Sequence, residues 1–200
     1  SVKDHAADYF KTEDELRAVF EESRRTNTSD YDCLMLYSGG KDSSYALCRL
    51  VDMGLKVYAF TLDNGYISDD AKANIRRFTP ELGWPIEFAT TPAMNAIFRY
   101  SLMRFSHVCN GCFKTIYTLS MKRAHELGIP IIVTGLSRGQ MFETRLTEEM
   151  FRDGGRRPEE IDAAVLAARK AYHRIPDEVS RSLDVSAFQD DAIFEEVRFI

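Results

Sequence analysis

The sequence contains no apolar run approaching the roughly 20 residues that cross a bilayer as a helix, so a helical membrane protein is not expected. It has no internal repeat and no low-complexity tract, which excludes a solenoid or a disordered linker as its main organisation. Cysteine is scarce: four in 200 residues is too few for a disulfide scaffold, and the chain reads as cytoplasmic. The opening Ser1-Val2-Lys3-Asp4-His5 is polar and shows no signal peptide. No initial Met is present, so a processed, trimmed or excised chain is expected. The net charge of −5 weighs against a broad nucleic-acid surface, leaving only a local basic patch such as Arg152, Arg156 and Arg157. The ordinary P-loop, with four residues between a glycine and Gly-Lys-Ser/Thr, is absent.

What is present is an ordinary globular composition, 44% hydrophobic and 28% charged, enough for one core and a small appendage. Residues Thr12 to Arg25 read as an amphipathic helix with Leu16, Val19 and Phe20 on one face. Strands are expected at Cys33–Tyr37, Val57–Leu62, Ile86–Ala89 and Ile131–Thr134, the last apolar and largely β-branched as in a buried parallel strand. Helices are expected at Ser43–Met53, Ser68–Leu82, Ala93–Met103 and Phe113–Leu127, with Gly54, Gly83 and Gly128 as C-terminal stops. Such alternation predicts an α/β, doubly wound, Rossmann-like parallel sheet. The divisions expected are an N-terminal helical segment (1–30), a nucleotide-binding domain (31–150) and a helical, acidic extension (151–200). That extension includes the helical stretch Pro158 to Tyr172 and the acidic stretch Asp184 to Glu196, as a lid, substrate platform or interface. The strand-like end, Val197-Arg198-Phe199-Ile200, suggests that the natural chain continues.

Between the first strand and its helix lies Ser38-Gly39-Gly40-Lys41-Asp42-Ser43. Adjacent glycines let backbone approach a ligand closely, and the amides of a starting helix attract anions. Lys41 adds positive charge, while Ser38, Ser43 and Ser44 add hydroxyl donors, so the turn suits phosphate. Asp42 would repel phosphate unless a cation intervenes, which points to magnesium. Ligands in doubly wound sheets bind beyond the carboxyl ends of strands. Two further strand ends therefore matter: Asp63-Asn64-Gly65-Tyr66, and Gly135-Leu136-Ser137-Arg138-Gly139-Gln140.

The second motif is Cys109-Asn110-Gly111-Cys112, expected just before a helix. Two thiols at this spacing suit one metal, one cluster or a redox pair. A helix N-terminus lowers a thiol pKa, so Cys112 is expected to be reactive. A zinc site needs two more ligands, for which His107 and, more distantly, His125 are the candidates. Cys33 and Cys48 are poor donors, one in a buried strand and one in the helix after the glycine turn.

The run SGGKDS between strand and helix resembles the PP-loop of the ATP pyrophosphatases, the adenine nucleotide alpha hydrolase superfamily. The resemblance spans roughly Asp32 to Phe151. It implies that ATP, with magnesium at Asp42, adenylates a substrate oxygen and releases pyrophosphate. It also implies that Gly39 to Ser43 hold the pyrophosphate, that Leu62 and Asp63 flank the adenine or ribose, and that Gly135 permits close approach to the nucleotide. Lys41 and Asp42 would be catalytic; both exceed what a non-catalytic nucleotide-binding module requires. The CxxC further resembles the cluster-dependent tRNA thiolation enzymes. There Cys109, Cys112 and a later cysteine would hold a 4Fe-4S cluster, but no cysteine follows Cys112. The main expectation is therefore an ATP-dependent sulfurtransferase using Cys109 and Cys112 with a sulfur donor. Its substrate would be small or carrier-bound, since the charge disfavours tRNA. The chain is also similar to the N-acetyl sugar amidotransferases, through Asp63-Asn64-Gly65, Asn74-Ile75, Cys109 to Cys112 and Gly135 to Gln140. That alternative implies an ATP-dependent amidotransferase or ligase fed with ammonia by a glutaminase partner, with the cysteine pair as a zinc or structural site. A homodimer is compatible with either.

Overall fold

The computed structural model describes residues 8–144, 146–151 and 156–200. Thr12 caps helix α1 (Glu13–Arg24) by a reciprocal capping box: its hydroxyl accepts from the Glu15 amide, and Glu15 accepts from the Thr12 amide. Strand β1 (Cys33–Leu36) then leads into α2 (Lys41–Asp52). The chain continues through β2 (Val57–Leu62), α3 (Asp69–Glu81), β3 (Ile86–Ala89), α4 (Met94–Phe105) and α5 (Cys109–Glu126). Strand β4 (Ile131–Thr134) and the short α6 (Arg138–Thr144) follow. A 3-10 turn (Glu148–Phe151) precedes α7 (Pro158–Arg174) and α8 (Glu178–Ser182). A second 3-10 turn (Ser186–Gln189), α9 (Ala192–Glu196) and β5 (Arg198–Phe199) complete the described chain. The Ser68 hydroxyl accepts from the Ala71 amide at 3.2 Å and opens α3 as expected. Among the described residues, no helix is long and apolar enough to cross a membrane.

All five strands run parallel in the order β3-β2-β1-β4-β5. This is the doubly wound α/β arrangement. The strand order reverses between β1 and β4, which creates the crevice where such sheets bind ligands. Alternating residues of β1 supply two different layers. Cys33, Met35 and Tyr37 pack with Phe20, Leu47, Leu50 and Ile75 from α1, α2 and α3. Leu34 and Leu36 pack with Met121, Ala124, Phe188 and Phe194 from α5 and the C-terminal segment. Both faces are covered, which explains why β1 reads as an unbroken apolar run instead of an alternation.

The C-terminal extension is bound tightly to this frame. Ile131 pairs with Arg198 and Ile132 with Phe199, so β5 adds an edge strand to the sheet. Lys114 of α5 is fully buried and donates to Asp177 at 2.8 Å and to the Ile175 carbonyl at 3.3 Å. Its ammonium also lies 5.3 Å from the Tyr172 ring centre. Of the expected basic patch, Arg152 lies outside the described residues, and the Arg157 guanidinium is paired with Glu160 at 2.9 Å.

Candidate active site

The glycine turn sits at the carboxyl end of β1, at the point where strand order reverses. Gly39 has φ +74°, a conformation that side chains other than glycine adopt poorly. A Cβ there would stand 2.6 Å from Ile75 Cγ1, so α3 packs against the turn closely enough to demand glycine. Inside the turn the Ser38 and Ser43 hydroxyls are 3.0 Å apart, and Ser43 Oγ donates to the Gly40 carbonyl at 3.1 Å. The Gly40 amide donates to Ser38 Oγ at 3.4 Å. Ser44 Oγ lies 3.2 Å from the Tyr37 hydroxyl. These contacts hold the loop's shape and leave its centre open. Among the described residues, the amides of Gly39, Lys41, Asp42 and Ser43 find no hydrogen-bond acceptor, and Gly40 provides no side-chain cap. Lys41 and Asp42 are exposed and take part in no ion pair among the described residues.

Gly135 ends β4 against this loop. A Cβ on Gly135 would meet Ser43 Cα at 3.0 Å, so two backbones touch across the switch point. At the end of β2, Leu62 turns its side chain inward onto Met94, Ile97 and Val179, leaving only its backbone for any ligand. Asp63 pairs with Lys72 at 2.7 Å and accepts the Gly65 amide at 3.0 Å. The Lys72 contact chiefly holds the Asp63 carboxyl below its ordinary range, against a smaller opposing effect of burial. Arg138 lies with its guanidinium 5.0 Å from the Phe10 ring centre. Gln140 accepts the Ser137 amide at 2.9 Å and acts in the cap of α6.

The cysteine motif is placed differently from the expectation. The helix begins at Cys109 and not at Phe113, so the motif forms the first turn of α5. The break comes earlier, at Ser106, whose φ of 61° ends α4. Gly111 is tolerated in the helix because α4 lies against it: a Cβ there would meet Ile97 Cγ2 at 2.7 Å. The Gly111 amide donates to Ser101 Oγ at 3.1 Å, and Tyr172 donates its hydroxyl to the Asn110 carbonyl at 3.1 Å. Cys109 is exposed, Cys112 is half-buried, and neither is in a disulfide. Asn64, from the loop after β2, points its amide at Cys112 Sγ, 3.9 Å away. Burial pushes the Cys112 thiol up, and the Asn64 contact offsets only part of that. Desolvation thus opposes the activation expected of a helix N-terminus.

Among the described residues, no third His, Cys, Asp or Glu joins the two thiols in a metal-binding group. His125 lies at the far end of the 18-residue α5, about 24 Å along the axis, and contacts Glu196 at 2.6 Å. Cys33 is fully buried in β1, where desolvation pushes its thiol far up. The described donors therefore do not fit the expected 4Fe-4S cluster or a four-ligand zinc site. A magnesium ion fits better, because such an ion needs only one or two carboxylates alongside substrate phosphates, and Asp42 is available.

No family model matches this sequence, and no curated protein matches it. Solved structures do. The NH3-dependent NAD synthetase of Campylobacter jejuni subsp. jejuni aligns over 98% of this chain and 95% of its own, with a TM-score of 0.52 and 12% identity. The NMN synthetase of Francisella tularensis aligns over 96% of this chain and 80% of its own, with a TM-score of 0.51 and 15% identity. The chain shares the parallel α/β fold of these two synthetases. At these identities the likeness establishes architecture, and the chemistry has to be argued from the loop itself. Sequence reading placed the glycine turn and the three strand ends. It missed Ile75, Asn64 as neighbour of Cys112, and Tyr172, whose roles depend on contacts between distant segments.

Proposed function

We propose that this protein is an ATP-dependent ligase or amidotransferase that activates a substrate oxygen by adenylation and replaces it with nitrogen. The observation that carries the reading is the unclaimed PP-loop: four open amides, Lys41 and Asp42 converge at the topological switch point. The four amides would hold the β- and γ-phosphates of ATP, while Lys41 offsets charge building on the departing pyrophosphate. Asp42 would hold magnesium, which when bound neutralises phosphate charge. The substrate oxygen attacks the α-phosphorus and pyrophosphate leaves. Ammonia then attacks the activated carbon, AMP leaves, and a proton passes from the nitrogen to solvent. The acceptor is small or carrier-bound, the ammonia is free or delivered by a glutaminase, and the setting is the cytoplasm, where ATP is supplied.

Nitrogen is favoured over sulfur by two observations. The described donors do not complete a cluster around Cys109 and Cys112, and burial pushes the Cys112 thiol up instead of activating it. The NH3-dependent NAD synthetase among the structural neighbours lends support from the same direction.

The test supplies ATP, magnesium, isotopically labelled ammonium and a metabolite extract to the purified protein. Labelled nitrogen should enter an acceptor in step with AMP release. The Cys109→Ser, Cys112→Ser double variant should keep this activity. Sulfur incorporation from sulfide or a persulfide donor, lost in that variant, would overturn the assignment in favour of sulfur transfer.

A further inference from the structure

The proposed ligation leaves the cysteine pair without a role. We infer that Cys109 and Cys112 form a reversible disulfide that loosens the loop following β2, making the pair a thiol–disulfide site next to the nucleotide crevice. The two cysteines differ in the way such a pair requires. Cys109 is exposed and open to attack on an incoming disulfide, whereas Cys112 is half-buried behind it. They sit three residues apart on one helical face, with Cβ atoms roughly 5–6 Å apart as is usual for such neighbours. A disulfide needs Cβ atoms about 3.5–4.5 Å apart, so closure tightens the first turn and leaves a strained, readily reduced bond.

The surrounding contacts decide where that strain goes. The backbone of the turn is fixed at Gly111 by Ser101 and at Asn110 by Tyr172. Closure therefore moves the Cys112 sulfur, whose side-chain contact is with Asn64. The Asn64 contact, at 3.9 Å, is already near the limit for a sulfur acceptor and breaks first. Asn64 in turn accepts the Tyr66 amide at 3.0 Å, and Tyr66 donates its hydroxyl to Asn95 at 2.8 Å. Loss of the sulfur contact leaves the Asn64 side chain anchored only through its oxygen to the Tyr66 amide, and that end of the loop loosens with it.

The chemistry balances with a small-molecule disulfide as oxidant. The Cys109 thiolate attacks one sulfur of that disulfide and expels the first thiolate, giving a mixed disulfide. Cys112 gives up its proton and attacks Cys109 Sγ, expelling the second thiolate. Two thiols of the protein are oxidised, the small disulfide is reduced, and both protons end on the released thiols.

Intact protein is equilibrated in glutathione buffers of graded redox poise, then examined by peptide mass spectrometry and amide hydrogen exchange. The expected oxidised species has the Phe105–Lys114 peptide lighter by two hydrogens. In that species the Tyr66 amide, the one held by Asn64, should exchange about fivefold faster. Asn64→Ala should still form the disulfide but show the fast exchange in both states. Persistence of a glutathione adduct on Cys109 without closure would overturn the inference. So would closure with unchanged exchange at Tyr66. Both readouts are independent of ligase turnover.

Discussion

Two lysines divide the labour of this molecule. Lys41, at the start of α2, is exposed and has no acidic partner among the described residues. Lys114, in α5, is fully buried and is matched by Asp177, a backbone carbonyl and the face of Tyr172. Burying an unpaired ammonium would be costly, so Lys114 exists only together with its partners. Leaving Lys41 unpaired in solvent costs little, and its charge is available to an incoming anion. The same contrast separates the two ends of the protein. At the glycine turn, backbone donors are left open; around α7 and α8, polar groups are consumed in holding the extension to the sheet.

The sharpest way to test the contrast is to remove each charge. Lys41→Met should lower pyrophosphate release by about 10²–10³-fold, in the range seen for removing one preorganised charge-stabilising donor. Its melting temperature should stay unchanged; a large loss of stability would place Lys41 in the fold instead. Lys114→Met should reverse the pattern. It leaves Asp177 facing a mostly buried site and should cost about 3 kcal/mol of stability in denaturant unfolding. Retained stability would show that Asp177 finds water.

Gly39→Ala falls between these extremes, because Gly39 serves both shape and ligand. A positive φ costs a side chain about 1–2 kcal/mol, and the 2.6 Å approach to Ile75 Cγ1 adds to it. The expected outcome in calorimetry is a loss of about 2 kcal/mol accompanied by weaker ATP binding. A stable variant with normal binding would show that Ile75 gives way and that the loop does not need its observed shape.

The smallest effect concerns pH. His173 is fully buried against Phe188, ring centres 4.5 Å apart, with Nδ1 3.3 Å from Thr118 Oγ1 and, among the described residues, no partner at Nε2. Burial pushes its pKa down to about 3. The unfolded chain takes up a proton below about 6.5 while the folded chain does not, so this residue costs stability as pH falls. The slope should approach 1.4 kcal/mol per pH unit between about pH 6 and 4. His173→Phe should flatten that part of the stability profile and leave turnover at neutral pH intact. An unchanged slope would mean that His173 is not the group responsible.

Much of the frame was legible in the chain because its signals are local. Apolar runs marked four strands, and the glycines after α2, α3 and α5 marked helix ends. The glycine turn was legible for the same reason, being six consecutive residues. The beginning of α5 was not, since Gly111 looks like a breaker until α4 is seen to press against it. Nor was the character of Cys112, whose helix position argued for activation while its burial argues the opposite. Nothing in the local sequence marks Lys114, Tyr172 and His173 as buried residues. Only the docking of the extension on α5 turns them inward, and nothing local records that contact.

The central claim is that the open amides at the switch point serve cleavage of ATP between its α- and β-phosphates. The direct measurement is the identity of the nucleotide products when the protein turns over ATP with magnesium, ammonium and a metabolite extract. AMP and pyrophosphate in equal amounts, both lost in Lys41→Met, are the expected result. ADP and inorganic phosphate would contradict it.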